Sequence, residues 1–196
     1  MAGQRKVGLF GGSFNPPHVA HQLVALYILE TCVDEVWFVP TYSHPFAKKL
    51  LAYDHRVAMC ELAVASLGAR ARVMRSEEEL AKQPDFVSSR TLDLIEHLEE
   101  QHRDAELHLV VGADILGETE KWHRWDEVTR RAPLIVIGRT GFALPPGSMA
   151  TGVTMPEVSS SRVRELLATG DVPGAAQLLP QTVLRYIARH GLYGGT

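Results

Sequence analysis

Gly11-Gly12-Ser13-Phe14-Asn15-Pro16-Pro17-His18-Val19-Ala20-His21 follows directly on the short apolar run Val7 to Phe10. The order reads as strand, glycine turn, helix start. Gly11 and Gly12 let the backbone bend tightly and approach a ligand with no side chain in between. Asn15 is placed to cap a helix whose first position, Pro16 or Pro17, needs no N–H donor. Such a helix start offers unpaired N–H groups and the positive end of the helix dipole, which together suit a phosphate. His18 and His21, three residues apart, project toward it from one face. On their own the two histidines could equally open an ordinary helix; the Gly-Gly pair ahead of them tilts the reading toward a ligand site.

Strand and helix patterns alternate outward from this stretch. Val19, Leu23, Leu26 and Tyr27 make one apolar face of a helix running to about Cys32, and Val36 to Val39 is a buried strand ended by Pro40. The polar loop Thr41 to Ala52 carries His44, Phe46, Lys48 and Lys49. A second helix, with Asp54 as its N-cap, bears Val57, Cys60, Val64 and Leu67 until Gly68 stops it. Ala71 to Met74 is a further strand, and Glu77 to Glu79 with Pro84 mark a solvated loop. Ser88 or Ser89 can cap a third helix containing Leu92, Ile95 and Leu98, before the strand Leu107 to Val111 closes at Gly112. This βαβαβ order predicts an α/β protein with a doubly wound parallel sheet.

Leu134 to Ile137 is the next core strand, closed by Gly138 and Arg139. A loop over 140–152 and a short strand at Val153 to Met155 follow. Two helical patterns finish the chain: Val163, Leu166 and Leu167, then Val183, Leu184 and Ile187, with Pro180 near the start of the second and Gly191 at its end. The expectation is one domain over residues 1–196, of which about 160–196 form a small helical C-terminal part.

Twenty basic against 23 acidic residues give a net charge of -3, which suits neither a protein that coats nucleic acid nor a polybasic membrane binder. Two cysteines, Cys32 and Cys60, lie in apolar helical patterns without C-x-x-C spacing, as buried thiols in a reducing cytosol do. No apolar run is long enough to span a bilayer, so the expectation is a soluble cytoplasmic protein.

In an open parallel sheet, ligands bind outside the carboxyl ends of the strands, and each polar cluster here comes just after a predicted strand. A second clue is independent. Ser159, Ser160 or Ser161 can cap a helix, yet Arg162 and Arg164 fall in its first turn, where a cation is unfavourable by roughly 0.3–1 kcal/mol. A polyphosphate held by the serine hydroxyls, backbone N–H groups and Arg164 removes that conflict; otherwise both arginines point into water.

The His18 and His21 spacing resembles the H-x-G-H signature of the nucleotidyltransferase superfamily, with Ala20 where that signature has glycine. Ser159-Ser160-Ser161-Arg162-Val163-Arg164 is similar to its partner signature I-S-S-T-x-x-R, with Ser161 keeping the hydroxyl of threonine. Gly112-Ala113-Asp114, Trp122, Arg139 and the ending from Leu179-Pro180 through Gly191-Leu192-Tyr193 extend the likeness over nearly the whole chain. It is nearest to the bacterial nicotinate-mononucleotide adenylyltransferase family.

The resemblance implies a Rossmann-like nucleotidyltransferase fold and transfer of the adenylyl group of ATP to nicotinate mononucleotide. The products would be nicotinate adenine dinucleotide and pyrophosphate, in NAD biosynthesis, with Mg²⁺ carried on the ATP phosphates and no protein metal ligands. His18 and His21 would contact the phosphates as pyrophosphate leaves, and Ser161 and Arg164 would hold the distal ones. Gly11, Gly12, Ser13, Phe14, Gly112, Ser159 and Ser160 would line the ATP site. Asp114 would accept from the ribose hydroxyls, or else cap a helix; Arg139 would lie by the adenine, or else in solvent. Trp122, beside His123, would stack on the pyridine ring, or else belong to the core. Ser88 and Thr91 resemble the family's T-x-x-T for the nicotinate carboxylate, with Val87 replacing a common tyrosine. Lys48, Lys49 and Arg56 are candidates for the mononucleotide phosphate, with a solvated face as the alternative for the lysines. Partners would be ATP and nicotinate mononucleotide, with no nucleic acid and no membrane; a homo-oligomer stays open. Rival readings are a phosphopantetheine or nicotinamide mononucleotide acceptor, and a nucleotide-binding module without catalysis.

Overall fold

Central to the sheet is β1 (Arg5–Gly12), whose residues alternate between two cores. The computed structural model describes residues 4–43, 50–84, 86–138, 149–154 and 156–194. After β1 come α1 (Val19–Thr31), β2 (Glu35–Pro40), α2 (Tyr53–Val64), β3 (Ala71–Val73), α3 (Ser76–Ala81), α4 (Thr91–Gln101) and β4 (Ala105–Gly112). Then follow α5 (Trp125–Arg131), β5 (Leu134–Gly138), β6 (Met149–Thr154), α6 (Ser160–Ala168), α7 (Val172–Ala176) and α8 (Gln181–Arg189). The six strands run in the order β3-β2-β1-β4-β5-β6, every pair parallel. Strand order therefore reverses between β1 and β4, and this opens a ligand crevice beyond Gly12 and Gly112.

Both faces of the sheet are buried, which explains the unbroken apolar runs. Trp37 and Val39 join Val7, Leu9, Leu109 and Val111 under α4 and α5, while Val36 and Phe38 face α1 and α2 with Val110 and Ile135. A Cβ on Gly8 would stand 3.3 Å from Ile28 Cδ1 and from Val110 Cγ2, so the missing side chain lets α1 close on the sheet. A third core joins Met59 and Ala63 of α2 to Val163, Leu166 and Leu167 of α6, Ala175 of α7 and Val183 and Ile187 of α8. α2 thus carries the sheet on one side and the C-terminal helices on the other.

Local chemistry departs from the sequence expectation in several places. α1 begins at Val19 with His18 as its N-cap residue, so Asn15 does not cap it. Gly11 and Gly12 remain in β1, paired with Val39 and Pro40, and the sharp turn falls at Phe14, with φ 43°. Asp54 sits in the first turn of α2 behind Ala52. The acidic stretch from Glu77 lies in the helix α3, and α4 is preceded by Arg90, with neither Ser88 nor Ser89 as its cap. β6 begins at Met149, inside the expected loop, and α7 has no counterpart in the sequence pattern, because its 5 residues are too few to show a period. Gly68, with φ 72°, does end the α2 region, in a 3₁₀ segment, Ala65–Arg70. No helix among the described residues is long and apolar enough to cross a membrane, and Cys32 and Cys60 are free thiols, Cys60 buried.

Candidate active site

The turn between β1 and α1 is held by side chains from far along the chain. Arg164 donates to the Asn15 carbonyl at 2.7 Å and to Ser161 Oγ at 3.1 Å. Ser160 Oγ donates to the Pro16 carbonyl at 2.8 Å. These contacts bring the start of α6 onto the segment just before His18, so the two helix beginnings converge. Ser159 caps α6 by accepting from the Arg162 N–H at 3.2 Å, which leaves Ser160 and Ser161 to face the turn.

The two arginines separate. Arg164 is turned inward, whereas Arg162 is exposed and lies 3.5 Å from the Glu165 carboxylate. The cation-at-a-helix-start conflict is thus met by a carboxylate at one residue and by a carbonyl and a hydroxyl at the other.

His18 and His21 stack, with ring centroids 3.7 Å apart and planes at 23°. His18 is buried, at 5 % exposure, and its backbone N–H donates to Nδ1 of His21 at 3.1 Å. That bond fixes Nδ1 of His21 as an acceptor and leaves Nε2 as the nitrogen that carries a proton in the neutral ring. Phe14 closes the hydrophobic side, its ring 5.0 Å from His21 and 5.2 Å from Phe38. Gly12 makes room for it, since a Cβ there would stand 3.3 Å from the Phe14 ring. Ala20 is buried too, so its methyl is covered by the protein.

The α1 start is less open to an anion than its sequence suggests. The Val19 N–H donates to the Leu178 carbonyl at 2.9 Å and the His21 N–H to the His18 carbonyl at 3.0 Å.

Arg56 is placed differently from a phosphate-contacting residue. It is 1 % exposed and donates Nε to the Leu51 carbonyl and one terminal nitrogen each to the carbonyls of Ser13 and Thr41, at 2.9, 2.8 and 2.8 Å. Burial lowers the pKa of its guanidinium. Asn15, foreseen as a cap, is instead a hub: its side-chain oxygen accepts from Tyr193 Oη at 2.7 Å and from the Leu51 N–H at 3.4 Å. Tyr193 lies far along the sequence from Asn15, and only folding reveals that its hydroxyl reaches the turn.

Beyond the end of β2, Glu77 Oε2 accepts from the Tyr42 N–H at 2.7 Å, and burial raises the pKa of that carboxyl. Ser89 Oγ accepts from the Ser43 N–H at 3.3 Å. Ser88 and Thr91 therefore flank a segment tied to the end of β2. Gly112 ends β4, and Asp114 opens a 3₁₀ helix, Ala113–Lys121, so it stands beyond the crevice's second strand. Trp122 meets Trp125 edge to face at 5.3 Å and packs on the core beneath α4, partly buried; His123 is exposed. Lys48, Lys49 and Arg139 lie outside the described residues.

The doubly wound sheet thus carries a His-x-x-His turn after β1, with a Ser-x-x-Arg helix start packed on it. The cytidylyltransferase-like family model matches residues 9–166. The probable nicotinate-nucleotide adenylyltransferase of Anaeromyxobacter dehalogenans is 46% identical over 197 residues, covering 100% of both chains. That of Myxococcus xanthus is 38% identical over 96% of this chain and 95% of its own. The Plasmodium falciparum nicotinic acid mononucleotide adenylyltransferase complexed with NaAD superposes with a TM-score of 0.79, covering 96% of this chain and 97% of that one. At 19% identity this last likeness bears on the fold alone. The chain belongs to the cytidylyltransferase-like family and, within it, to the nicotinate-nucleotide adenylyltransferases.

Proposed function

We infer that the protein transfers the adenylyl group of ATP to nicotinate mononucleotide, giving nicotinate adenine dinucleotide and pyrophosphate, a step of NAD biosynthesis. The observation that carries this reading is the meeting of Arg164 and Ser160 with the backbone of Asn15 and Pro16, beside the stacked His18 and His21. Together these groups make one cationic and hydroxyl-rich cradle for a polyphosphate.

No protein nucleophile is required. A phosphate oxygen of the mononucleotide attacks the α-phosphorus of ATP in line, and the bond from that phosphorus to the bridging oxygen breaks as pyrophosphate departs. His18 and His21 donate to the oxygens on which charge builds, and Ser161 and Arg164 hold the departing phosphates. Mg²⁺ enters on the phosphates of ATP; imidazole, hydroxyl and guanidinium donors suit phosphate oxygens rather than that ion. Asp114 accepts from the ribose hydroxyls, and Gly11, Gly12 and Phe14 give the nucleotide a close approach. Trp122, Ser88 and Thr91 form the nicotinate side, where a flat ring meets an aromatic face and a carboxylate meets hydroxyls. Two free thiols fit a reducing cytosol.

The test is pyrophosphate release with ATP and, in separate assays, nicotinate mononucleotide, nicotinamide mononucleotide and phosphopantetheine. The acid mononucleotide should be the preferred acceptor; preferred turnover of either alternative would replace it.

A further inference from the structure

Arg56 is the largest charged side chain in the interior, and its position relative to the phosphate turn gives it a task beyond stability. Its three hydrogen bonds join Ser13 of the first turn, Thr41 at the end of β2 and Leu51 at the approach to α2. These segments are also joined by the Thr41 N–H to the Gly12 carbonyl at 2.9 Å and by the Leu51 N–H to Asn15 Oδ1. One guanidinium therefore sets the first turn against both ends of the loop that carries Lys48 and Lys49.

The bond to Ser13 has a directional consequence. In a trans peptide the C=O and the following N–H point to opposite sides of the plane. The Ser13–Phe14 bond is trans, so holding the Ser13 carbonyl down on buried Arg56 turns the Phe14 N–H the other way. Two N–H groups of the first turn of α1 are already engaged, by Leu178 and His18, which makes a donor at Phe14 more important. Carbonyls satisfy the guanidinium without cancelling its charge, and burying that charge is costly. The Glu77 carboxylate offsets part of that cost, and a bound anion beside the first turn would offset more.

We propose that Arg56 is a positioning residue for adenylyl transfer: it fixes the Ser13–Phe14 peptide so that the Phe14 N–H is presented to a nucleotide phosphate. This rests on the reading of ATP as the bound nucleotide, and it assigns Arg56 no contact with the mononucleotide phosphate. Loss of the fork should cost alignment in the transition state, where a small misplacement is expensive.

Arg56→Lys is the deciding variant, because it keeps the charge but replaces the planar fork, whose three nitrogens each meet a different carbonyl, with donors on a single nitrogen. It should lower kcat at least about tenfold at saturating substrates, with the KM for nicotinate mononucleotide within about threefold of wild type. Its affinity for α,β-methylene-ATP, measured by calorimetry, should fall at least about fivefold, while circular dichroism shows it folded at the assay temperature. Unchanged kcat with a raised KM for the mononucleotide would make Arg56 a direct phosphate contact and overturn the proposal. Wild-type kinetics, or a loss of turnover no larger than the loss of folded protein, would overturn it as well. A wild-type measurement needs no variant: α,β-methylene-ATP should slow hydrogen exchange at the Phe14 amide about tenfold or more, and an unprotected amide refutes the assignment. Neither the calorimetry nor the exchange experiment uses an acceptor, so a wrong acceptor would appear as idle wild-type enzyme with both nucleotide effects intact.

Discussion

A histidine pair works as a unit here because one backbone bond orients it. Nδ1 of His21 accepts from the His18 N–H, so the neutral ring carries its proton at Nε2, the donor that the proposed reaction calls on. His21→Ala should lower kcat by at least about 100-fold, the range expected for loss of a donor to a charged transition state, with the fold kept. Steady-state kinetics beside a circular dichroism spectrum checks this, and turnover at the wild-type rate would remove His21 from the catalytic machinery. Type and spacing single out the histidines, Arg164 and Ser161, and folding brings Arg164 and Ser160 onto the turn before His18. Asn15 was legible as important but not in its role. A short amide before proline looks like a cap, and only the approach of Tyr193 and Leu51 makes it a hub. Arg56 reads beside two lysines as a candidate for the mononucleotide phosphate; its burial and its three carbonyl partners emerge only on folding.

Helix α6 presents the second half of the cradle, so its start must be well defined. Ser159→Ala removes the acceptor for the Arg162 N–H and should cost about 1 kcal/mol of stability. Because Ser160 and Arg164 would then fray from the turn, the KM for ATP should rise as well. A melt and an ATP titration measure the two effects, and a stability loss without any change in ATP affinity would separate α6 from the site. At the opposite end of the strands, Glu35 of β2 ties Arg5 of β1 to Arg72 of β3, at 2.7 and 3.0 Å. It also accepts from the Trp37 indole N–H at 2.8 Å. Burial raises the pKa of Glu35, but the Trp37 bond and the Arg72 and Arg5 guanidinium groups outweigh it and hold the carboxyl below its ordinary 4.5. A depressed carboxyl contributes stability that is complete above the ordinary value and is lost as pH falls through the folded one. Glu35→Gln should therefore cost about 1–3 kcal/mol at neutral pH and flatten the acid limb below about pH 4.5. Urea titrations at pH 7 and pH 4 would reveal it; equal losses at both would rule out the ionised carboxylate as the source.

The sheet core that faces α1 and the core between α2 and the C-terminal helices share α2 as a common wall. Cys60 and Val64 serve the sheet side while Met59 and Ala63 serve the other, so neither part can open without exposing the next. We therefore expect a single cooperative transition, with far-UV dichroism and tryptophan fluorescence coincident in denaturant. The three tryptophans, Trp37, Trp122 and Trp125, all belong to the sheet side. A C-terminal part that melted separately would appear in dichroism first and leave the fluorescence unchanged.

Apolar runs of strand length, helical repeats between them and the glycines at strand ends were enough to establish the parallel doubly wound sheet, because burial on both faces demands that pattern. The same local chemistry named the histidines and the serine-arginine segment. Which carbonyl each long side chain would reach could not be read from the chain, since contacts separated by |i−j| of 43, 144, 149 and 178 residues depend on how the helices pack. Packing made Arg56 an internal brace, turned Asn15 into a junction and brought α6 to the first turn; the order of residues supplied the groups, and only their burial decided what each one holds.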